Sequence, residues 1–167
     1  MKILYLLTVI SFYLNIHQAK AQQKIEPGEF NVKNGTYKVQ KLNDSLFFVA
    51  NLNQNVPTEE SDPGFLFVNR QLVNKDLIKP LILDALGANK ELIEDNKESI
   101  LLDYSLLPNG KIISVAYIVN IRTKLSIQDI TNIDYKLKNC FIGKIKSTQN
   151  LHLKLNSIPF TMELNLY

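Results

Sequence analysis

The stretch DYSLLPNGKIISVAYIV, from Asp103 to Val119, decides the fold. Ile100, Leu102, Tyr104 and Leu106 alternate before its Pro-Asn-Gly-Lys corner, and Ile113, Val115, Tyr117 and Val119 alternate after it. A strand shows one face every second residue, so each set shares a face. Both sets meet one core if Leu106 opposes Ile113 and Tyr104 opposes Val115, which requires an even-length loop. Asn109-Gly110 alone would make a two-residue type I′ turn, but Pro108 would then sit at a hydrogen-bonded ladder position without an N–H. A four-residue loop over 108–111 keeps the register and takes Pro108 off the ladder. A three-residue loop would set Leu106 against Ile112 and split the two apolar faces. The sequence thus predicts a hairpin with strands at 100–107 and 112–119.

Helical spacing flanks this hairpin. Leu77, Ile78, Leu81, Ile82, Ala85 and Leu86 share a helical face. Pro80 fits in the first turn of that helix, where its missing N–H is not needed, and Gly87 is a C-terminal stop. The polar KELIEDNKES that follows reads as a frayed helical turn. A second helix runs from Ile127 towards Phe141, with Ile130, Ile133 and Leu137 in its apolar stripe. Ser126 is its N-cap and Asp129 the acid three residues on, a variant of the capping box. At the end of the chain Ile158, Phe160, Met162, Leu164 and Leu166 alternate as a strand. Leu151, Leu153 and Leu155 alternate in the opposite phase, so Asn156-Ser157 marks a turn or a bulge.

Nearer the N-terminus, 36–42 and 46–52 are strand-like, and Asn43-Asp44-Ser45 between them is turn chemistry, which predicts a hairpin. The preceding QQKIEPGEFNVKNG reads as a short polar lead-in. NQNVPTEESDPG, 53–64, reads as a loop and as the boundary between an N-terminal region, 22–64, and a domain over 65–167; 65–69 is a further strand candidate. The overall expectation is an α+β fold: an antiparallel sheet with two helices on one face in α-β-β-α-β order, preceded by the N-terminal β-hairpin.

Residues 1–21 carry a different signal. Met1-Lys2 precedes the apolar run ILYLLTVISFYLNI, and Ala19-Lys20-Ala21 is a small-x-small site. This is the pattern of a secretory signal peptide cut after Ala21. The apolar run falls short of the roughly 20 residues a spanning helix needs. The expectation is an exported protein, periplasmic, extracellular or of the cell envelope, and not an integral membrane protein after cleavage. Loss of Lys2 and Lys20 would lower the formal net charge from +3 to +1, too little basic field for nucleic-acid binding. The one cysteine, Cys140, cannot form an internal disulfide.

The order of elements around LLPNGKIISV resembles the C-terminal domain of TonB-like proteins. The resemblance covers roughly the last 90 residues. Its matching parts are the alternating strands about Pro108-Asn109-Gly110-Lys111, the helix ending at Phe141, and the closing strand Ile158-Pro159-Phe160-Thr161-Met162-Glu163-Leu164. The aromatic-plus-Pro segment usual after the second helix is replaced by Phe141-Ile142-Gly143-Lys144, and the Pro-rich spacer and membrane anchor that carry force in the family are missing. The resemblance implies a stand-alone exported module rather than an energy transducer. It also implies a partner, an envelope protein or peptide, that adds a strand near the final strand. Phe160, Thr161, Met162, Glu163 and Asn165 would form that edge. The rival reading is that this strand completes the fold, with the N-terminal hairpin covering its edge.

No catalytic, metal or cofactor site is expected. His152 sits at an alternating position between Leu151 and Leu153, directed away from them. Cys140, beside Phe141 at the end of an apolar-striped helix, reads as a buried, inert thiol, not as the nucleophile of a thiol-imidazole pair with His152. Glu91, Glu94, Asp95 and Glu98 read as an acidic helical face and Glu59, Glu60 and Asp62 as an acidic loop, both solvated; neither has calcium-loop spacing. Lys136, Lys138, Lys144 and Lys146 near the second helix's end suit the macrodipole. The functional expectation is a non-catalytic protein-interaction module; the alternative is a small-ligand or lipid-binding protein with a cavity between sheet and helices.

Overall fold

The computed structural model describes residues 23–54, 70–147 and 156–167. The expected leader and its cleavage site, the strand candidate at 65–69, the acidic loop of Glu59, Glu60 and Asp62, and His152 lie outside them. The described elements are β1 (Gly28–Val32), β2 (Gly35–Lys41), β3 (Leu46–Asn51), β4 (Arg70–Leu72), α1 (Ile78–Leu86), α2 (Lys90–Asp95), β5 (Ser99–Leu106), β6 (Ile112–Asn120), α3 (Ile127–Cys140), β7 (Ile145–Ser147) and β8 (Ile158–Asn165). The fold is α+β. One antiparallel sheet has the order β1-β2-β3-β6-β5-β8, and β4 and β7 form a separate two-stranded ribbon.

The apolar positions explain the layers. Leu102, Tyr104 and Leu106 of β5, Val115, Tyr117 and Val119 of β6, Val49 of β3 and Tyr37 and Val39 of β2 are buried, and they share one core with Ile78, Ile82 and Leu86 of α1, Ile93 of α2, and Ile130, Ile133 and Leu137 of α3. Helix α3 begins as its sequence demands. The Ser126 side chain accepts from the Asp129 N–H, and the Asp129 carboxylate accepts from the Ser126 N–H at 2.8 Å. Helix α1 holds Pro80 in its first turn and stops at Gly87, whose φ of 54° suits a residue without Cβ.

Two local readings change. The segment taken for a polar lead-in is structured: Ile25 is buried, the Ile127 N–H donates to the Gln23 carbonyl, and β1 pairs with β2. Local alternation is weak in GEFNV, so the signal for β1 lies in its long-range partner. The 36–42 and 46–52 segments pair as β2 and β3, but this hairpin is no appendage. Strand β3 bonds to β6, with Val49 opposite Tyr117, so it continues the sheet on the side of β6. It lies far from β8, at the other end of the strand order, and so does not cover the β8 edge.

The β5–β6 corner also departs from its expected register. Tyr104 opposes Val115, yet Leu106 opposes Ile112 rather than Ile113. The loop has three residues, 108–110, closed by the Leu107 N–H donating to the Lys111 carbonyl. A bulge at Ile113 restores the phase, so Ile112, Val115, Tyr117 and Val119 are all buried. The odd loop and the bulge offset one another, so the two apolar faces meet without an even-length loop.

The tip of this hairpin is held from outside. The Gly143 N–H donates to the Gly110 carbonyl at 2.8 Å, and Lys111 bridges to Ile142. Gly110 has φ of 85°, and a Cβ there would overlap the Gly143 carbonyl oxygen. A Cβ on Gly143 would meet side chains rather than backbone: the ends of Leu106 and Leu72, which can shift, and, less closely, the Phe141 ring. Gly110→Ala is therefore expected to cost about 2–4 kcal/mol of folding free energy, and Gly143→Ala measurably less. Urea denaturation of the two variants checks the ranking.

Candidate interaction edge

Strand β8 is the last of the described strands in the sheet. Its one partner among the described strands is β5, through a register that runs from Leu106 opposite Ile158 to Ser99 opposite Asn165. Two bonds fix which backbone groups face outward. The Leu166 N–H donates to the Glu98 carbonyl at 2.9 Å, towards the β5 side. Backbone groups alternate sides along a strand. Residues 158, 160, 162 and 164 therefore bond to β5, while the N–H and C=O groups of Thr161, Glu163 and Asn165 face away. The bond from Arg70 Nε to the Pro159 carbonyl, 3.3 Å, agrees with this parity. Pro159 lacks an N–H and sits where β5 requires none.

The side chains alternate too. Phe160, Met162 and Leu164 are half-buried against the core, whereas Thr161, Glu163 and Asn165 are exposed on the opposite face. Phe160 stacks on Tyr104 with ring centroids 5.9 Å apart and planes 24° from parallel. On the exposed face, Thr161 Oγ1 donates to Asp103 Oδ1 at 3.5 Å, and Asp103 is also exposed. The five residues marked in the sequence thus lie along one strand, but they divide between two faces.

Other candidate groups are engaged elsewhere. Tyr37 and Tyr117 donate their phenolic O–H groups to buried Asp134, at 2.7 and 3.2 Å, and Lys138 Nζ reaches the same carboxylate at 3.0 Å. Burial, reinforced by the Asp134 charge, raises both phenols above their ordinary range. Lys136 pairs with Asp84 of α1, a bond that raises its pKa. So Lys136 joins α3 to α1, while Lys138 pairs with Asp134 on its own helix. Glu98 does not share a solvated acidic face with Glu91, Glu94 and Asp95. It is buried and accepts from Thr123 Oγ1 and the Lys124 N–H at 2.9 and 2.8 Å. No group of three metal-ligating side chains occurs among the described residues, and no described helix is long and apolar enough to cross a membrane.

Cys140 corrects an expectation. It ends α3 and is exposed rather than buried. The apolar stripe passes through Leu137 and Phe141, and Cys140 falls outside it. The native protein is expected to take up one equivalent of iodoacetamide at Cys140 without denaturant, as mass spectrometry would read.

Two surface clefts lie apart from β8. One, of about 480 Å³, is lined by Lys24, Ile121, Arg122, Thr123, Lys124, Leu125 and Ser126. The other, of about 650 Å³, lies along α1 beside Pro80, Leu83 and Gly87.

Fold and edge together define an α+β protein whose antiparallel sheet carries helices on one face and ends in β8. No protein-family model matches the chain, and no curated protein matches it. In structure it is similar to a DUF5043 family protein from Bacteroides uniformis ATCC 8492, known from a crystal structure. The TM-score is 0.61 and the identity 14%, over 86% of this chain and 88% of that one. At that identity the likeness is one of fold.

Tyr104, next to Phe160, supplies a check on packing behind the edge. Burial pushes its phenol from 10.0 up to about 12. The folded protein then holds a proton that the unfolded chain releases first. This contribution to stability is complete below pH 10 and is lost as pH rises from 10 to about 12. Tyr104→Phe is expected to make the alkaline fall in the urea midpoint shallower across that window. An unchanged slope would mean that Tyr104 is not enclosed behind β8.

Proposed function

We propose that this chain is an exported, non-catalytic protein-interaction module of the cell envelope, built on a scaffold similar to TonB C-terminal domains. It takes up an extended segment of an envelope protein along β8. One observation carries the reading: Thr161, Glu163 and Asn165 direct their backbone N–H and C=O groups away from β5, on a strand that no other described strand pairs. An added strand would satisfy those groups. The N-terminal hairpin, the rival cover for this edge, lies at the opposite end of the sheet order. The leader pattern of residues 1–21 supports export.

The test is affinity capture with tagged 22–167 against solubilised envelope from the native host, in parallel with Thr161→Pro. The Thr161 N–H bonds to nothing in β5, so proline removes an edge donor and no ladder bond. A single envelope protein retained by the parent and released by Thr161→Pro is the expected outcome, with affinity falling about tenfold. Retention that ignores Thr161→Pro would overturn strand addition. Failure of a folded sample to retain anything would turn attention to small ligands and to the cleft of Lys24, Arg122 and Lys124.

A further inference from the structure

The edge of β8 carries charge as well as open backbone groups. On its exposed face Glu163 stands opposite Leu101, and Asp103 stands opposite Thr161. Asp103 and Glu163 are thus diagonal neighbours across the β5–β8 pair, a spacing of roughly 7–8 Å. Both are exposed, and neither forms an ion pair among the described residues. Arg70 Nε donates to the Pro159 carbonyl at the start of the strand. The opposite face of β8 is apolar, with Phe160, Met162 and Leu164 half-buried.

A strand added to this edge would extend both rows. Its residues opposite Phe160, Met162 and Leu164 would meet apolar neighbours on the core face. Its residues opposite Thr161 and Glu163 would lie on the acidic face, where directly opposed like charges destabilise and opposite charges stabilise. Pro159 and Glu163 also disfavour pairing of two copies of β8, since edge prolines and edge charges are devices that block such pairing. We infer that the partner segment is an extended peptide alternating apolar with basic residues, Lys or Arg standing opposite Glu163, with Asp103 one strand further in adding to the negative charge of that face. This inference rests on the strand-addition reading and adds its charge specificity.

Short fluorophore-labelled peptides alternating valine with lysine, or valine with glutamate, test it by fluorescence anisotropy on 22–167. The lysine peptide should bind more tightly than the glutamate peptide. Glu163→Lys should weaken the lysine peptide about fivefold and strengthen the glutamate peptide, with Glu163→Gln in between. Thr161→Pro should weaken both. Glu163 is exposed and bonds to β5 through no side-chain contact, so its variants keep the fold and the ranking can be read even if Thr161→Pro misfolds. Equal binding of the two peptides, both lost in Thr161→Pro, would leave strand addition standing and overturn the basic-partner assignment. Binding of neither peptide would overturn both. A lysine-peptide affinity that vanishes with modest salt yet ignores Glu163→Lys would mark diffuse attraction and would also overturn it.

Discussion

The hydrogen bonds to Asp134 hold the layers of this protein in place. The carboxylate sits on α3 and accepts from Tyr37 of β2 and Tyr117 of β6, two strands separated by β3. A buried carboxylate is costly unless its oxygens are satisfied, and here two phenols and Lys138 satisfy them. The same bonds fix where the helix crosses the sheet, and they tie the N-terminal strands to the later ones. Removing the carboxylate would strand two buried phenols, so the cluster rewards a single arrangement of helix over sheet.

With α3 fixed, the rest of the sheet follows. Strand β6 lies between β3 and β5, its Tyr117 under α3, and β5 carries β8 outward as the last strand. Lys136 joins α3 to α1 through Asp84, which closes the helix layer on the same core. The sheet is thus anchored in its middle and thins towards β8, where half-buried side chains replace buried ones. That gradient sets the outer strand on a rigid support, an arrangement that would favour the proposed strand addition.

Local pattern revealed the parts whose signals are local. The Ser126–Asp129 box, the stop at Gly87 and the stripe from Ile127 to Leu137 each depend on residues three or four apart, and each was readable. The pairing of Tyr104 with Val115 was readable as well, because both faces of a hairpin report on one turn. The bulge at Ile113 was not, because Ile112 and Ile113 are equally apolar and only the packed core chooses between them. Strand β1 hid for the opposite reason: its pairing, not its composition, makes it a strand. At the candidate edge, the residues were readable from alternation, but the outward direction of the Thr161 and Glu163 amides was not. It depends on β5, some sixty residues earlier in the chain. The Asp134 cluster joins residues 97 and 17 positions apart, and no local window contains it. Cys140 was misread because the apolar residues beside it belong to the next face of the helix.

The contact between Gly110 and Gly143 has a consequence for how this chain can vary. A hairpin corner is ordinarily where a protein tolerates extra residues, since lengthening a surface loop costs little chain entropy. Here the corner is a seam: main chain lies directly on main chain, and Lys111 bridges to Ile142 beside it. Length at this turn is therefore coupled to length in the segment after α3. An insertion in either one calls for a compensating change in the other, and the two stretches should vary together or not at all.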